Sequence, residues 1–279
     1  MTVLPAVDPI LAPLREQSMY RSLLIAVPTT SQSMLAATAL SIAGVTKVLT
    51  SAGVDVGLHN IDSAEIVTAR DMFANMVLHS PAWDALLFID SDMAFPPRLI
   101  ERMIALDEPV VAAAYPRRSL DLEIFASGIR QHGDTKRSLA EASSFTLKLA
   151  WDSLHPGPID LRDGFCEAAA VGMGCALISR KAFEKMVATE VVRPRLDLYA
   201  SGGATCYSFF DNLELAGERL GEDYSFCYRW THILKQKLWI CTDEQISHVG
   251  QFEFNASFID TLAPKGKAKV NDPENPVAE

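Results

Sequence analysis

The stretch that most constrains the fold of this chain is an apolar strand that runs directly into two aspartates. Four apolar residues, 86–89, precede Asp90 and Asp92. Such a run is typical of a strand that a parallel sheet covers on both faces, and ligands of open α/β sheets bind beyond the carboxyl ends of these strands. In an extended segment Asp90 and Asp92 would point to the same side. The stretch therefore predicts a site for a divalent cation, unless the strand simply ends in a polar turn.

Strands and helices alternate around this stretch in the first part of the chain. Apolar strands are predicted over 22–27, 54–59, 85–89 and 110–115, and each pair is separated by residues with the periodicity of an amphipathic helix. This order predicts an α/β fold built on a doubly wound, mostly parallel sheet.

The second part of the chain has a less regular pattern. Residues 119–165 mix charged and apolar side chains and are predicted to form antiparallel hairpins and loops. A strand over 167–178 is predicted to be interrupted at 172–174, where two glycines permit a bulge or the close approach of another group. A helix is predicted from Glu222 and a short strand over 238–241. We therefore expect a smaller, partly antiparallel region beside the parallel sheet.

Composition narrows the class of protein. The chain has 279 residues, of which 49% are apolar, and its formal net charge of −10 disfavours a nucleic-acid groove, which needs a basic face. The five cysteines are odd in number and form no C-x-x-C pair, so a disulfide framework or zinc site is not expected and a reducing, cytoplasmic compartment is favoured. We expect no signal peptide and no transmembrane segment, while peripheral contact with a membrane stays open.

Two further residues, Asp223 and His248, have side chains that can act as a general base or a metal ligand. Asp223 lies in the first turn of the helix that begins at Glu222, where the macrodipole favours acidic residues whatever their role. It could also be a general base that deprotonates a hydroxyl, kept ionised because the helix N-terminus would lower its pKa. His248 follows the last predicted strand. It could be an ordinary histidine or, as a neutral imidazole, complete the coordination of a manganese held by Asp92.

The order of these segments resembles that of nucleotide-sugar-dependent glycosyltransferases of the GT-A type. The D-x-D motif at 90–92, G-E-D at 221–223 and H-x-G at 248–250 lie in that order, and the resemblance extends over about residues 22–255. It implies a GT-A-like fold in which the antiparallel region lies on the acceptor side.

Two longer segments strengthen this resemblance. Residues 68–71, followed by 86–97, look like the bacterial and viral members whose pattern reads A-R-N and then L-L-F-I-D-S-D-M-x-F-x-P. Residues 221–227 are similar to their G-E-D-x-x-F-C segment. The chain departs from this pattern at Asp71, which stands where the pattern has asparagine.

The resemblance implies a metal site and an acidic pair. Asp92 would ligate a manganese or magnesium ion through its carboxylate, and His248 would be a second ligand. Asp90 would contact the ribose of the nucleotide or the metal with its water shell. Asp223 would be the catalytic base, and Glu222 would face the acceptor beside it.

The resemblance also implies which residues border the donor. Pro28 and Thr29 would border the nucleoside, and Ser91 would bind the nucleotide between the two aspartates. Arg70 would face the base or the diphosphate, unless it is a solvated helix arginine. Residues 115–118 follow a strand end near the donor, but their two arginines are expected in a solvated turn. The residues implied near the acceptor and the sugar are Gly172, Met173 and Gly174.

The predicted function is that of a metal-dependent glycosyltransferase. It would move a sugar from a nucleoside-diphosphate sugar, such as a UDP- or GDP-sugar, to a hydroxyl of a glycan, a lipid-linked molecule or another acceptor, with inversion. The predicted organisation is an arm over 1–21, a catalytic domain over 22–262 and a disordered tail over 263–279. Within the domain, 22–118 would bind the nucleotide and 119–262 the acceptor.

Four other functions compete with this prediction. A retaining glycosyltransferase would have the same fold, and a non-catalytic nucleotide- or sugar-binding module would keep it without the chemistry. A nucleotidyltransferase also uses aspartates and a metal, but the segment 28–32 lacks the glycine-rich, basic phosphate loop that such an enzyme favours. A DNA-modifying glycosyltransferase is disfavoured by the acidic charge.

Overall fold

Strands and helices alternate along the chain in a computed structural model that describes residues 19–151, 159–198 and 203–250. The helices are α1 (Ala36–Ser51), α2 (Ile66–His79), α3 (Pro97–Leu106), α4 (Leu122–His132), α5 (Thr135–Ala142), α6 (Arg180–Ala188) and α7 (Glu222–Cys227), which continues as a π-helix (Tyr228–Ile233). The strands are β1 (Ser22–Thr29), β2 (Asp55–Asp62), β3 (Ala85–Ile89), β4 (Met93–Ala94), β5 (Val110–Ala113), β6 (Pro116–Leu120), β7 (Ser143–Phe145), β8 (Leu147–Lys148), β9 (Phe165–Ala168), β10 (Ala170–Val171), β11 (Cys175–Ser179), β12 (Arg193–Pro194), β13 (Tyr207–Ser208), β14 (Glu214–Leu215), β15 (Glu218–Arg219), β16 (Leu238–Cys241) and β17 (Ser247–His248).

The central sheet has seven strands in the order β2-β1-β3-β11-β5-β16-β9. Strands β1, β2 and β3 are parallel, and so are β5 and β16. Strand β11 lies antiparallel between β3 and β5, and β9 is antiparallel at the edge. Five of the seven strands therefore run in one direction, which confirms the predicted α/β class with a mostly parallel sheet and is consistent with a GT-A-like fold.

Helices cover both faces of this sheet. One hydrophobic cluster joins the sheet to α1 and α3, and a second joins it to α2, α6 and α7. Strand β3 contributes to both, since Leu87 and Ile89 pack into the first cluster and Leu86 and Phe88 into the second. The apolar run before Asp90 is therefore buried on both faces, as predicted, and this position puts the aspartates at the carboxyl edge of the sheet.

The prediction of hairpins and loops over 119–165 is wrong for α4 and α5, which form a helical hairpin. Local capping explains the two helices. The Asp121 carboxylate accepts hydrogen bonds from the amides of Glu123 and Ile124, and Asp134 caps α5 in the same way. Gly133 ends α4 in the left-handed conformation. The charged residues that suggested loops lie on exposed faces of these helices.

The interruption predicted in the strand over 167–178 is confirmed, because 172–174 separate β10 from β11. All five cysteines are buried. Within the described ranges no helix has both the length and the apolar character needed to cross a bilayer. The described residues through Val249 belong to one compact unit.

Most of the predicted arm over 1–21 and all of the predicted tail over 263–279 lie outside the described residues. Of the arm, Tyr20 is buried in the first hydrophobic cluster, and the amide of Met19 donates to the Asp107 carboxylate at 2.9 Å. The division of 22–262 into nucleotide and acceptor halves stays a prediction.

Asp71, the position where the chain departs from the resembled pattern, anchors the segment that leads into β14. Its Oδ1 accepts the amides of Phe209 and Phe210 at 2.8 and 2.9 Å, and its Oδ2 lies 2.7 Å from Arg195. Burial raises the pKa of Asp71 to about 6, although the two amides and Arg195 favour its charged form. Asparagine could not balance the Arg195 charge, which explains why the carboxylate suits this neighbour.

We expect Asp71→Ala to lower the free energy of unfolding by about 3–5 kcal/mol, because it removes the buried partner of Arg195 and leaves two buried amides without their acceptor. Urea unfolding followed by circular dichroism measures this loss. Asp197 also pairs with Arg195 but is 65% exposed, so Asp197→Ala is the matched control and should cost less than about 1 kcal/mol. Equal losses in the two variants would contradict the anchoring role.

Candidate functional site at the carboxyl edge of the sheet

The loop that carries the two aspartates is held in place by backbone contacts on both sides. The carbonyl of Ser91 accepts hydrogen bonds from the Leu35 amide at 2.9 Å and from Thr38 Oγ1 at 3.0 Å, at the start of α1. On the other side, the Asp90 amide donates to the Gly174 carbonyl at 2.9 Å. The loop is therefore clamped between the first helix and the segment that precedes β11.

A single buried guanidinium gathers the acidic residues of this edge. Arg70, on α2, is 2% exposed and lies 3.3 Å from Asp90 Oδ1 and 3.3 Å from Asp223 Oδ1. Its Nε is 3.8 Å from Glu222, and its guanidinium lies over the Phe88 ring at 5.1 Å from the ring centroid. The structure thus brings together Arg70, Asp90 and the Glu222–Asp223 pair from three distant parts of the sequence.

These contacts determine the ionisation of the cluster. Burial alone lowers the pKa of Arg70, but the carboxylates of Asp90, Asp223 and Glu222 outweigh it and raise that pKa above its usual value. Burial raises the pKa of Asp223 to about 7, opposed by the Arg70 charge and supported by the two neighbouring carboxylates. We expected the helix N-terminus to lower the pKa of Asp223; this was wrong, because burial has the larger effect.

One oxygen of Asp223 has an unusual position. Asp223 Oδ1 and Arg70 Nε are both buried, face each other at 3.3 Å and make no well-aligned hydrogen bond within the described part of the chain. The Asp223 side chain is 17% exposed, so the carboxylate lies at the rim of the site. A carboxylate with a raised pKa at the rim of a site is suited to proton transfer.

A second cluster surrounds the Asp92 carboxylate. Asp92 Oδ2 lies 3.3 Å from His248 Nε2 and 3.0 Å from Arg118 Nη1. Burial raises the pKa of Asp92, but the hydrogen bond and charge of His248 and the charge of Arg118 outweigh it, so the pKa is lowered. Arg118 is 55% exposed, and its prediction as a solvated turn arginine missed this ion pair.

The ring of His248 is oriented by its backbone surroundings. His248 Nδ1 lies 3.1 Å from the Pro116 carbonyl, to which it can only donate. In the charged ring, Nε2 donates to Asp92, and in the neutral ring the same Nε2 is the nitrogen that carries the lone pair. Strand β17 pairs with β4, so that His248 lies opposite Met93, the residue after Asp92. Asp92 and His248, the two predicted metal ligands, are thus held side by side although they lie far apart in the sequence.

Tyr115 and the two glycines fill the space between the clusters. The Tyr115 ring packs edge-on against His248 at 5.5 Å, and its hydroxyl accepts the Gly174 amide at 3.1 Å. A side chain at Gly172 would clash with the Tyr115 hydroxyl, and a Cβ at Gly174 would lie 2.9 Å from Asp90 Oδ2. The glycines are therefore required by the close approach of Tyr115 and Asp90. This segment contacts the cluster around Arg70 through its backbone, since the Met173 carbonyl accepts from Arg70 at 3.4 Å and the Gly174 carbonyl accepts the Asp90 amide.

The predicted nucleoside contacts lie at the same edge but make other bonds. Pro28 and Thr29 end β1, next to β3, and Thr29 Oγ1 accepts from Asn60 at 3.1 Å and lies 3.4 Å from Asp62. Asp90 faces Arg70 rather than His248. Among residues 19–151, 159–198 and 203–250, no three His, Cys, Asp or Glu side chains come together as a metal-binding group.

Comparisons with known proteins give little further guidance. No family model matches the chain, and no curated protein matches it. Among solved structures, the chain is similar to the crystal structure of A197 from STIV, with 13% identity, 82% of this chain and 86% of that chain covered, and a TM-score of 0.44. It is also similar to GalNAc-T7 in complex with UDP, GalNAc and Mn²⁺, with 10% identity and a TM-score of 0.44, covering 84% of this chain and 45% of that one. These similarities are too distant to assign an activity.

We expect Arg70→Leu to lower the free energy of unfolding by about 3–5 kcal/mol, because three carboxylates would lose their shared counter-charge. Arg70→Lys should recover part of this loss, since lysine restores the charge without the fork that reaches both aspartates. Arg98→Leu is the control, because Arg98 is 62% exposed and pairs with Glu244 at 3.2 Å. Thermal and urea unfolding of the four proteins measure the effect, and equal stability of Arg70→Leu and Arg98→Leu would refute it.

Proposed function

We propose that this protein is a metal-dependent glycosyltransferase that moves a sugar from a nucleoside-diphosphate sugar to a hydroxyl acceptor with inversion. One observation carries the proposal. Residues far apart in the sequence converge at one edge of the sheet as two clusters, with Arg70, Asp90 and Asp223 in one and Asp92, Arg118 and His248 in the other. The first cluster offers a base, and the second offers metal ligands and a cation for a diphosphate.

The second cluster fits a manganese or magnesium ion. Asp92 and His248 would hold it through a carboxylate oxygen and Nε2, because the Pro116 carbonyl occupies the other ring nitrogen. When bound, the metal would stabilise the negative charge that develops on the leaving diphosphate. Arg118, which now pairs with Asp92, would be free to contact the same phosphates when a metal takes its place.

The first cluster would move the proton. The acceptor hydroxyl oxygen forms a bond to the anomeric carbon as the bond from that carbon to the diphosphate oxygen breaks, and the hydroxyl proton passes to the Asp223 carboxylate. Arg70 would keep Asp223 in place and partly ionised at neutral pH. We place the nucleotide against 22–118, beside Pro28, Thr29 and Asp90, with Gly172–Gly174 near the sugar.

We expect Asp92→Ala and His248→Ala each to weaken manganese-dependent binding of UDP or GDP at least about tenfold, because each removes a ligand of the metal. Calorimetric titration of the nucleotide with and without manganese measures this. His59→Ala, which changes an exposed histidine on β2, should bind as the unchanged protein does. Unchanged manganese dependence in both ligand variants would eliminate this metal site.

We expect Asp223→Asn to lower turnover by about 10²–10⁴-fold with nearly unchanged donor affinity, because the amide keeps the shape but cannot take the proton. Glu218→Gln, which changes an exposed carboxylate on β15, is the control.

In the unchanged protein, kcat/KM should fall about tenfold per pH unit below a pKa of about 7, since protonated Asp223 is inactive as a base. Retention of configuration at the anomeric carbon would leave Asp223 as a binding residue at most.

The donor and the competing functions can be resolved with one set of ligands. A thermal-shift screen of sugar nucleotides, with and without manganese, should single out the donor, because a bound ligand raises the apparent stability. Donor hydrolysis would exclude a non-catalytic binding module. Release of pyrophosphate from a nucleoside triphosphate and a sugar phosphate would instead identify a nucleotidyltransferase.

A further inference from the structure

A helical hairpin at the rim of the site packs little against the two hydrophobic clusters of the described residues. We call residues 116–148 the rim hairpin; it comprises β6, α4, α5, β7 and β8. In this fully described segment, only Leu147 packs against one of the two hydrophobic clusters, from a partly buried position. The two helices contact each other closely at Gly128 and Ser138. An amphipathic hairpin whose apolar side chains stay outside the core usually has another surface to cover it.

Large apolar side chains are exposed on this hairpin more often than elsewhere. Five of the fifteen exposed large apolar side chains of the described residues belong to it, with 39–59% of their surface accessible. Backbone contacts link several of them at the base of the hairpin, where Leu120 pairs with Ser143 and the Ser143 hydroxyl donates to the Leu139 carbonyl. These five side chains are Leu120, Leu122, Ile124, Leu139 and Phe145.

The charge of the rim hairpin is opposite to that of the whole protein. The segment contains six Lys and Arg against four Asp and Glu, whereas the complete chain contains 25 against 35. Arg130 and Lys136 lie at the far end of the hairpin, where both are exposed. A helical surface that exposes both apolar side chains and basic residues is the combination that binds anionic lipid. A neutral or basic partner would not account for the excess of basic residues.

The rim hairpin also begins at the candidate site. The Pro116 carbonyl, at the start of β6, accepts the hydrogen bond of His248, and Arg118 contacts Asp92. A surface that covered the hairpin would therefore lie next to both clusters of the site.

We infer that the rim hairpin docks the protein on an anionic phospholipid bilayer. The apolar side chains enter the boundary between headgroups and acyl chains, and the basic residues contact the anionic headgroups. The inference does not depend on the proposed transferase activity, but a bilayer in this position would present lipid-borne hydroxyls to the site.

Co-sedimentation of the full chain with vesicles tests this docking. The protein should bind vesicles of phosphatidylglycerol and phosphatidylcholine and bind weakly to vesicles of phosphatidylcholine alone. The double variant Leu122→Ser/Ile124→Ser should partition at least about tenfold less, because each buried side chain of this size contributes about a factor of ten or more. Leu40→Ser/Leu58→Ser, which changes residues 74% and 56% exposed on α1 and β2, is the matched control and should bind normally.

A second pair of variants tests the electrostatic part. Arg130→Glu/Lys136→Glu should weaken binding to the anionic vesicles by about tenfold or more, while Lys47→Glu/Arg219→Glu, with the same change in charge elsewhere, should have a small effect. Circular dichroism establishes that each variant is folded.

Vesicle binding that is equal in the hairpin and control variants would overturn the inference. So would light scattering that shows a dimer of the unchanged protein which Leu122→Ser/Ile124→Ser dissociates, because the hairpin would then be covered by a second copy.

Discussion

The candidate site depends on one buried charge, the guanidinium of Arg70. Asp90, Glu222 and Asp223 converge within 3.8 Å of this group, and without it three carboxylates would repel one another in a poorly solvated space. Asp90 follows the end of β3, and Glu222 and Asp223 lie at the start of α7, so the ion pairs also join these two elements to α2. The same contacts thus stabilise the fold and arrange the acidic residues.

The antiparallel strand β11 determines how the rest of the site is assembled. Because it runs antiparallel to β3 and β5, β11 begins at the carboxyl edge of these strands, directly after Gly174. The Gly174 carbonyl accepts the Asp90 amide, and its amide donates to Tyr115, which packs against His248. A short path of contacts therefore links the cluster around Arg70 to the cluster around Asp92.

Much of the fold could be predicted from the sequence, because its strands are strongly apolar. The predictions for β3 and β16 agree with the structure to the residue, and the break before β11 follows from its two glycines. The position of β11 between β3 and β5 could not be predicted, since strand order depends on pairing between distant segments. The helices α4 and α5 were missed although Asp121, Gly133 and Asp134 gave capping signals, because their charged residues were taken to indicate loops.

The candidate site was predicted in part. The motifs predicted that Asp92 and His248 lie close together, and the structure places them 3.3 Å apart at the carboxyl edge of the sheet. They did not indicate that Arg70 is buried, because one helical arginine gives no signal of its depth, or that Asp71 pairs with Arg195. The raised pKa of Asp223 was missed for the same reason, since burial is a property of the assembled fold.

The pairing of β17 with β4 has a consequence for how the protein matures. His248 reaches the Pro116 carbonyl across 132 residues of sequence, and the bond forms only when a two-residue strand near the end of the described chain has docked. All seven strands of the central sheet precede this strand in the sequence. During synthesis the pair of Asp92 and His248 therefore cannot form until the whole sheet has been made and residues 247–248 have followed it.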